Sequence, residues 1–244
     1  MYLKMVQELF VKKLATPTKI PIAKYVVNPY IGCGHGCLYC YARFIGPFKK
    51  MAGVWGKDIF VKVNAVEIFE REMPHLKGPI LLSSVCDPYQ PLEKRYQLTR
   101  RILELINSHF RSAHILTKSS LILRDIDLLI DSNVKVTITI TTDDDRVRRI
   151  LEPNASPIEE RFEALSQLKR AGADVSVFVG PILPMNPEKL ARELSKYVDK
   201  VSIDGMNYTW QVERIYQKYG WTKWLRKETA DDVASTLRKF LEVV

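Results

Sequence analysis

The chain has 244 residues, 46% of them hydrophobic, and a formal net charge of +9, from 37 lysines and arginines against 28 aspartates and glutamates. No apolar run approaches the roughly 20 residues that a helix needs to cross a bilayer, and three of the four cysteines fall in one short stretch, so a helical membrane protein and a disulfide framework are both excluded. One soluble globular domain of a reducing, cytoplasmic compartment is expected, and the basic balance favours an anionic partner such as nucleic acid.

Residues 1–23 read as an N-terminal extension of weak periodicity, broken at Pro17 and Pro21. From Lys24 onward, short β-rich runs alternate with helical stretches. Tyr25–Val27 is the first predicted strand and leads into the cysteine-bearing stretch. Ile59–Val63 reads as a short peripheral extended segment, followed by a helix with Asn64 as cap and Glu67 at the capping-box position. The apolar run Pro79–Ser84, ending in hydroxyls, is expected to be a buried parallel strand. A polar turn, Cys86–Glu93, leads to a helix carrying Leu98, Ile102, Leu105 and Ile106.

The unit then repeats. Strand Ala113–Thr117 precedes a helix with Ile126, Leu129 and Ile130, and strand Val134–Thr141 ends in the polar turn Thr142–Asp145. The clearest helix has Ser156 as cap, Pro157 at its first position and Glu159 in its first turn; Ile158, Phe162, Leu165 and Leu168 form its apolar face and Gly172 is its stop. Strand Asp174–Val179, helix Pro187–Val198 capped by Asn186, and strand Lys200–Asp204 follow. The last stretch reads as helical, with Trp210, Trp221 and Trp224, and ends in an amphipathic helix over Asp231–Val244. The pattern gives six β/α units in an α/β core over 24–207, with a helical cap over 208–244.

The chemistry is concentrated in the run from Asn28 to Arg43, where Cys33, Cys37 and Cys40 are spaced C-x3-C-x2-C in a loop that also holds Gly32, Gly34 and Gly36. Thiolates this close can converge on one metal centre. Tetrahedral zinc wants four ligands, and neither a second Cys-x2-Cys nor a His pair occurs. His35 is wedged between two of the cysteines. A ferredoxin-type cluster takes four cysteines, and only Cys86, far along the chain, is left. An iron-sulfur cube held by three cysteines would leave one iron free for a small molecule. A zinc knuckle, or three reduced thiols in a loop, remains an alternative, and with it a non-catalytic protein that binds nucleic acid or a partner.

With the aromatic Tyr39 before its last cysteine, this loop closely resembles that of the radical S-adenosylmethionine (SAM) superfamily. Asn28-Pro29-Tyr30 before it, His35-Gly36 inside it and Tyr41-Ala42-Arg43 after it are similar to the subgroup related to spore photoproduct lyase, often labelled DNA repair photolyase-like. The resemblance implies a partial (β/α)6 TIM-like barrel, with the cysteine loop after the first strand and the site at the C-terminal strand ends. It further implies a 4Fe-4S cluster on Cys33, Cys37 and Cys40 and SAM on the open iron. One-electron cleavage would then give a 5′-deoxyadenosyl radical that abstracts hydrogen from an unidentified substrate, nucleic acid being one candidate. The electron would come from a reductant such as ferredoxin or flavodoxin, and no membrane is involved.

The strand ends supply the remaining expectations. Ser83, Ser84 and Asp87 stand where the superfamily holds the SAM amino group, and Lys118 where an ammonium would face the SAM carboxylate. Thr139 and Thr141 alternate to one face. Arg161, a cation in a helix's first turn, calls for an anion: the SAM carboxylate, Glu152 or Glu160. Pro181 and Ile182 resemble the segment laid against adenine in the superfamily. Cys86 is either a small buried residue or a hydrogen donor of the lyase kind.

Overall fold

The computed structural model describes residues 5–51 and 53–244. Its first strands lie within the predicted N-terminal extension. β1 (Met5–Leu9) pairs in parallel with a later strand, and β2 (Ala15–Pro17) runs antiparallel to β3 (Tyr25–Val27). β4 (Tyr30–Ile31) and β5 (Asp58–Lys62) complete a three-stranded side sheet of order β1-β5-β4, so the segment around Ile59 stands outside the main sheet, as its short apolar run suggests.

α1 (Ala65–Glu72) follows. Asn64 precedes it without capping it: its side-chain amide donates to the Val11 carbonyl and accepts from the Val11 amide, both at 2.9 Å. A long-range tie to the N-terminal segment has won over a local cap. The chain continues through β6 (Ile80–Leu82), α2 (Glu93–Tyr96), α3 (Leu98–Ser108) and β7 (Ala113–Thr117). The helix predicted around Ile126 is a kinked 3-10 segment, Ser120–Leu128, with Asp125 outside helical dihedrals. β8 (Val134–Thr139) then leads to α4 (Asp145–Leu151), a helix not expected from the sequence, which begins at the last residue of the predicted turn Thr142–Asp145. Asp144 caps it by accepting from the Arg146 amide at 2.8 Å.

α5 (Ile158–Arg170) starts one residue later than expected, because Pro157 keeps an extended ψ of 151°. It ends where Gly172 takes φ +84°, a conformation costly for residues with a Cβ. β9 (Val175–Val179), α6 (Pro187–Leu194), β10 (Lys200–Ile203) and α7 (Glu213–Lys218) lead to α8 (Lys227–Leu237). The last predicted helix stops there: β11 (Glu242–Val243) adds a parallel strand beside β10.

The main sheet has the order β11-β10-β9-β8-β7-β6-β3-β2, and β3 and β6 to β10 are consecutive parallel neighbours, the partial TIM-like barrel. Its register aligns Val27, Leu82, Ile115, Val136 and Val175 across five strands. The helices cover the sheet with apolar stripes, Leu98, Ile102 and Ile106 from α3 and Leu165 and Leu168 from α5, joined in one core. Among the described residues no helix is long and apolar enough to cross a membrane.

On β7, His114 meets the Thr137 hydroxyl at 2.7 Å. Burial, then the neighbouring Lys135, pushes its pKa down to about 4 from the usual 6.5, against the opposing pull of Asp174. The unfolded chain therefore takes the proton first, and stability falls as pH drops from about 6.5 to about 4. His114→Gln is expected to flatten that window in thermal melts of the metal-free protein. An unchanged slope would refute the assignment.

Candidate active site

The cysteine loop has almost no regular structure, so its peptide groups must find partners elsewhere. Gln90, wholly buried, accepts from the Gly34 amide at 2.8 Å and donates to the Gly32 carbonyl at 3.3 Å. Asn154 donates to the Gly34 carbonyl at 3.0 Å through its side chain and to the His35 carbonyl at 3.2 Å through its backbone. The indole of Trp55 donates to the Cys37 carbonyl at 3.1 Å, and Gln211 to that of Tyr39 at 3.0 Å. Gly36 and Gly56 pass at van der Waals contact; both have positive φ, and a Cβ on Gly56 would lie 2.8 Å from the Gly36 Cα. Asn28 fixes the other side of the site, its side-chain oxygen accepting from the amides of Ser84 and Val85 at 2.9 and 3.3 Å.

These ties put Cys33, Cys37 and Cys40 on the lining of one cavity of about 370 Å³. The C-terminal strand ends supply most of the remaining lining: Ser83 to Asp87 after β6, Thr117 and Lys118 at β7, Thr139 at β8, Gly180 and Pro181 after β9, and residues 204–208 after β10, with Ile20 and Ile22 of the N-terminal segment beside them. Ser83 holds φ +67°, a sparsely populated conformation for a residue with a Cβ, within the site.

Burial pushes all four thiols up, Cys86 to about 11 and Cys33 and Cys37 further. Without a metal these groups stay protonated, and a cationic centre would offset that cost. Among the described residues no three His, Cys, Asp or Glu side chains are grouped as they would be round a single ion. Three cysteines on one cavity are the donor set of a cube with one open iron, whereas tetrahedral zinc needs a fourth ligand.

Asp87 is the electrostatic hub of the strand ends. Its carboxylate accepts from the Thr117 hydroxyl at 2.7 Å, the Lys118 amide at 2.8 Å and the Tyr89 amide at 2.9 Å. His35 Nδ1 stands 3.4 Å away, with no aligned hydrogen bond of its own. Burial alone would raise the pKa of Asp87; His35 and the hydrogen bonds outweigh it and hold the carboxyl at about 2. The Asp87 amide also points at the Cys33 sulfur, 3.4 Å away.

Three expected site residues lie outside the cavity lining. Arg161 is wholly buried and pairs with the equally buried Glu152; Glu160 instead accepts from the Ser120 hydroxyl at 2.7 Å. Thr141, beyond the end of β8, donates to Glu152 at 3.0 Å. Ile182 belongs to the core. Glu152 also accepts the hydroxyl of Tyr39, whose ring lines the cavity. Lys118 Nζ lies 5.9 Å from the centroid of that ring, and among the described residues no carboxylate is within ion-pair distance of it. Cys86 lines the cavity, its sulfur 3.4 Å from the Ser83 hydroxyl.

At the cavity mouth Tyr41 and Tyr208 begin an aromatic ledge: Phe44 meets Tyr208 edge-on at 5.0 Å and Trp210 at 5.2 Å. Trp210 is 64% exposed, whereas Trp221 and Trp224 pack with Tyr216 and Leu183 in a satellite core. Sequence reasoning named Glu152 as a partner for Arg161 but missed its bond to Tyr39, and it missed Gln90, Asn154 and Gln211; all four contacts cross more than 50 residues of chain.

A family model described as the radical SAM superfamily matches residues 27–198. An uncharacterised protein of Methanocaldococcus jannaschii is 42% identical over 174 residues, which are 71% of this chain and 66% of that protein. A radical SAM Nα-GlyT isomerase of Pseudomonas phage M6 is 25% identical over 211 residues, 80% of this chain and 43% of the phage protein. The chain spans about half to two thirds of the length of the curated relatives it matches first. Among solved structures, spore photoproduct lyase complexed with dinucleoside spore photoproduct superposes with a TM-score of 0.72 over 98% of this chain and 81% of its own at 18% identity, a likeness of fold.

Proposed function

The chain belongs to the radical SAM superfamily, and from that premise we propose that Cys33, Cys37 and Cys40 hold a 4Fe-4S cluster with which this enzyme cleaves SAM reductively. One observation carries the reading: three cysteines and the ammonium-bearing Lys118 line the same cavity at the strand ends. Bound there, the cluster would supply one electron to the sulfonium, giving methionine and a 5′-deoxyadenosyl radical that takes hydrogen from the substrate. Lys118 would receive the SAM carboxylate. Ser83, Ser84 and the ionised Asp87 would hold its amino group, and Pro181 and the backbone at Gly180 would lie against adenine, beside Thr139 and the ring of Tyr39.

Thr141 and Arg161 act behind this layer through Glu152, and Ile182 through the core beneath Pro181. Cys86, protonated at neutral pH, carries a hydrogen atom that it could return to a substrate radical. A reductant of the ferredoxin or flavodoxin class would supply the electron. Family membership leaves the non-catalytic alternative without support. Anaerobic reconstitution with iron and sulfide, then dithionite and SAM, is expected to release 5′-deoxyadenosine; a colourless, zinc-loaded protein that releases none refutes the proposal.

For the substrate we propose an unpaired base of a nucleic acid strand. The net charge of +9 favours a polyanion, and the ledge of Phe44, Tyr208 and Trp210 continues from the cavity as a stacking surface. Trp210→Ala is expected to weaken binding of a single-stranded oligonucleotide by about 1–3 kcal/mol, roughly five- to 150-fold, read by fluorescence anisotropy, while Trp221→Phe leaves it unchanged. Equal binding by wild type and Trp210→Ala would remove the ledge from the substrate path.

A further inference from the structure

Two carboxylates lie close to Lys118, and each is already committed to other partners. Asp87 accepts from Thr117, Tyr89 and the Lys118 backbone amide, so it is tied to the backbone of Lys118 rather than to its ammonium. Glu152 sits at the hydroxyl end of Tyr39, wholly buried, accepting from that hydroxyl and from Thr141 and paired with Arg161. Arg161 is fixed in turn: its Nε donates to the Ser156 carbonyl at 2.9 Å and Nη1 to the Thr139 carbonyl at 3.1 Å. The Tyr39 side chain therefore meets both charges, its hydroxyl the anion already neutralised by a fixed guanidinium and its ring the flexible ammonium on the cavity lining.

We infer that the Arg161–Glu152 pair sorts charge: Arg161 neutralises the carboxylate at the Tyr39 hydroxyl, so that the Lys118 ammonium stays available to the carboxylate of SAM. The inference rests on the proposed SAM site. Its physical basis is that a buried carboxylate stripped of its partner draws in the nearest cation, and lysine, a compact charge on a long flexible stem, is the residue able to move. Arg161 and Lys118 together already hold the Glu152 carboxyl below its usual range against the effect of burial, so both fields reach it. Arg161 is thus a positioning residue, acting on the cofactor through Lys118.

The test uses the reconstituted enzyme, with SAM affinity measured by equilibrium dialysis and folding by thermal melting. Arg161→Met is expected to weaken SAM binding by about tenfold or more, the effect of one lost charge-assisted hydrogen bond. Glu152→Gln lowers the melting temperature too, since it strands a buried guanidinium, but leaves SAM affinity within about twofold of wild type or improves it. The double variant Glu152→Gln/Arg161→Met returns affinity to within about twofold, because nothing then competes for Lys118. If the pair only supports the fold, Glu152→Gln and Arg161→Met lose SAM affinity together, and the inference is overturned while the SAM site stands. Should Arg161→Met fail to fold, a loss of about tenfold in the double variant overturns it equally. A wild-type enzyme that binds no SAM removes the site and this inference with it.

Discussion

Replacing Cys37 with alanine is expected to lower the iron bound after reconstitution and to cut 5′-deoxyadenosine release by more than about a hundredfold, since the loss of an outer-shell partner alone costs 10- to 100-fold at metal sites. The structure gives this residue no substitute. Its thiol lies on the cavity lining with those of Cys33 and Cys40, and its carbonyl is held by Trp55. The chain's fourth thiol, Cys86, is engaged with the Ser83 hydroxyl and the Tyr30 carbonyl. Two thiolates cannot retain a cube that needs three. Cys86→Ala is the matching control, expected to keep the iron and the visible charge-transfer absorption whether or not Cys86 returns a hydrogen atom. Retention of the cluster by Cys37→Ala would end the assignment. Loss of it from Cys86→Ala would make Cys86 a fourth ligand and leave SAM no open iron.

What the sequence disclosed and what it hid divide along a physical line. The C-x3-C-x2-C loop and the strand-end lysine are local features, set by spacing along a few residues, and the three thiols and Lys118 do share one cavity. Period-two alternation puts Thr139 and Thr141 on one face, but it carries no information on where the strand stops. β8 ends at Thr139, and Thr141 turns to Glu152 instead. Arg161 at a helix start did signal an anion. Which anion depended on α4, whose last turn delivers Glu152, and that helix is short enough for its three leading aspartates to read as a turn. Asn64 shows the same competition, a good local cap claimed by Val11. The N-terminal strands are illegible for a similar reason, because β1 has its partner more than 50 residues away and exposes most of its side chains.

Asp87→Asn is expected to cost the metal-free protein about 2–4 kcal/mol, on the scale of one or two hydrogen bonds to a charged group, and to weaken SAM binding with it. The substitution preserves shape but not the direction of donation. Oδ1 accepts from the Tyr89 amide and the Thr117 hydroxyl, and Oδ2 from the Lys118 amide with His35 beyond it. An asparagine can supply only one of these oxygens. If it keeps the first pair, its NH2 group faces the Lys118 amide, donor against donor, and the backbone that aims Lys118 into the cavity loses its anchor. The lowered pKa is a second measure of the same anchor. A carboxyl held at about 2 against the usual 3.8 contributes about 2 kcal/mol at neutral pH. Because the folded pKa is the lower one, that contribution is full above about pH 4 and is lost as pH falls towards 2. The stability gap between wild type and Asp87→Asn, read by urea denaturation, should therefore be constant near neutrality and close in acid. A gap that is absent at pH 7, or that persists undiminished at pH 2, would show that Asp87 is not the hub its contacts make it.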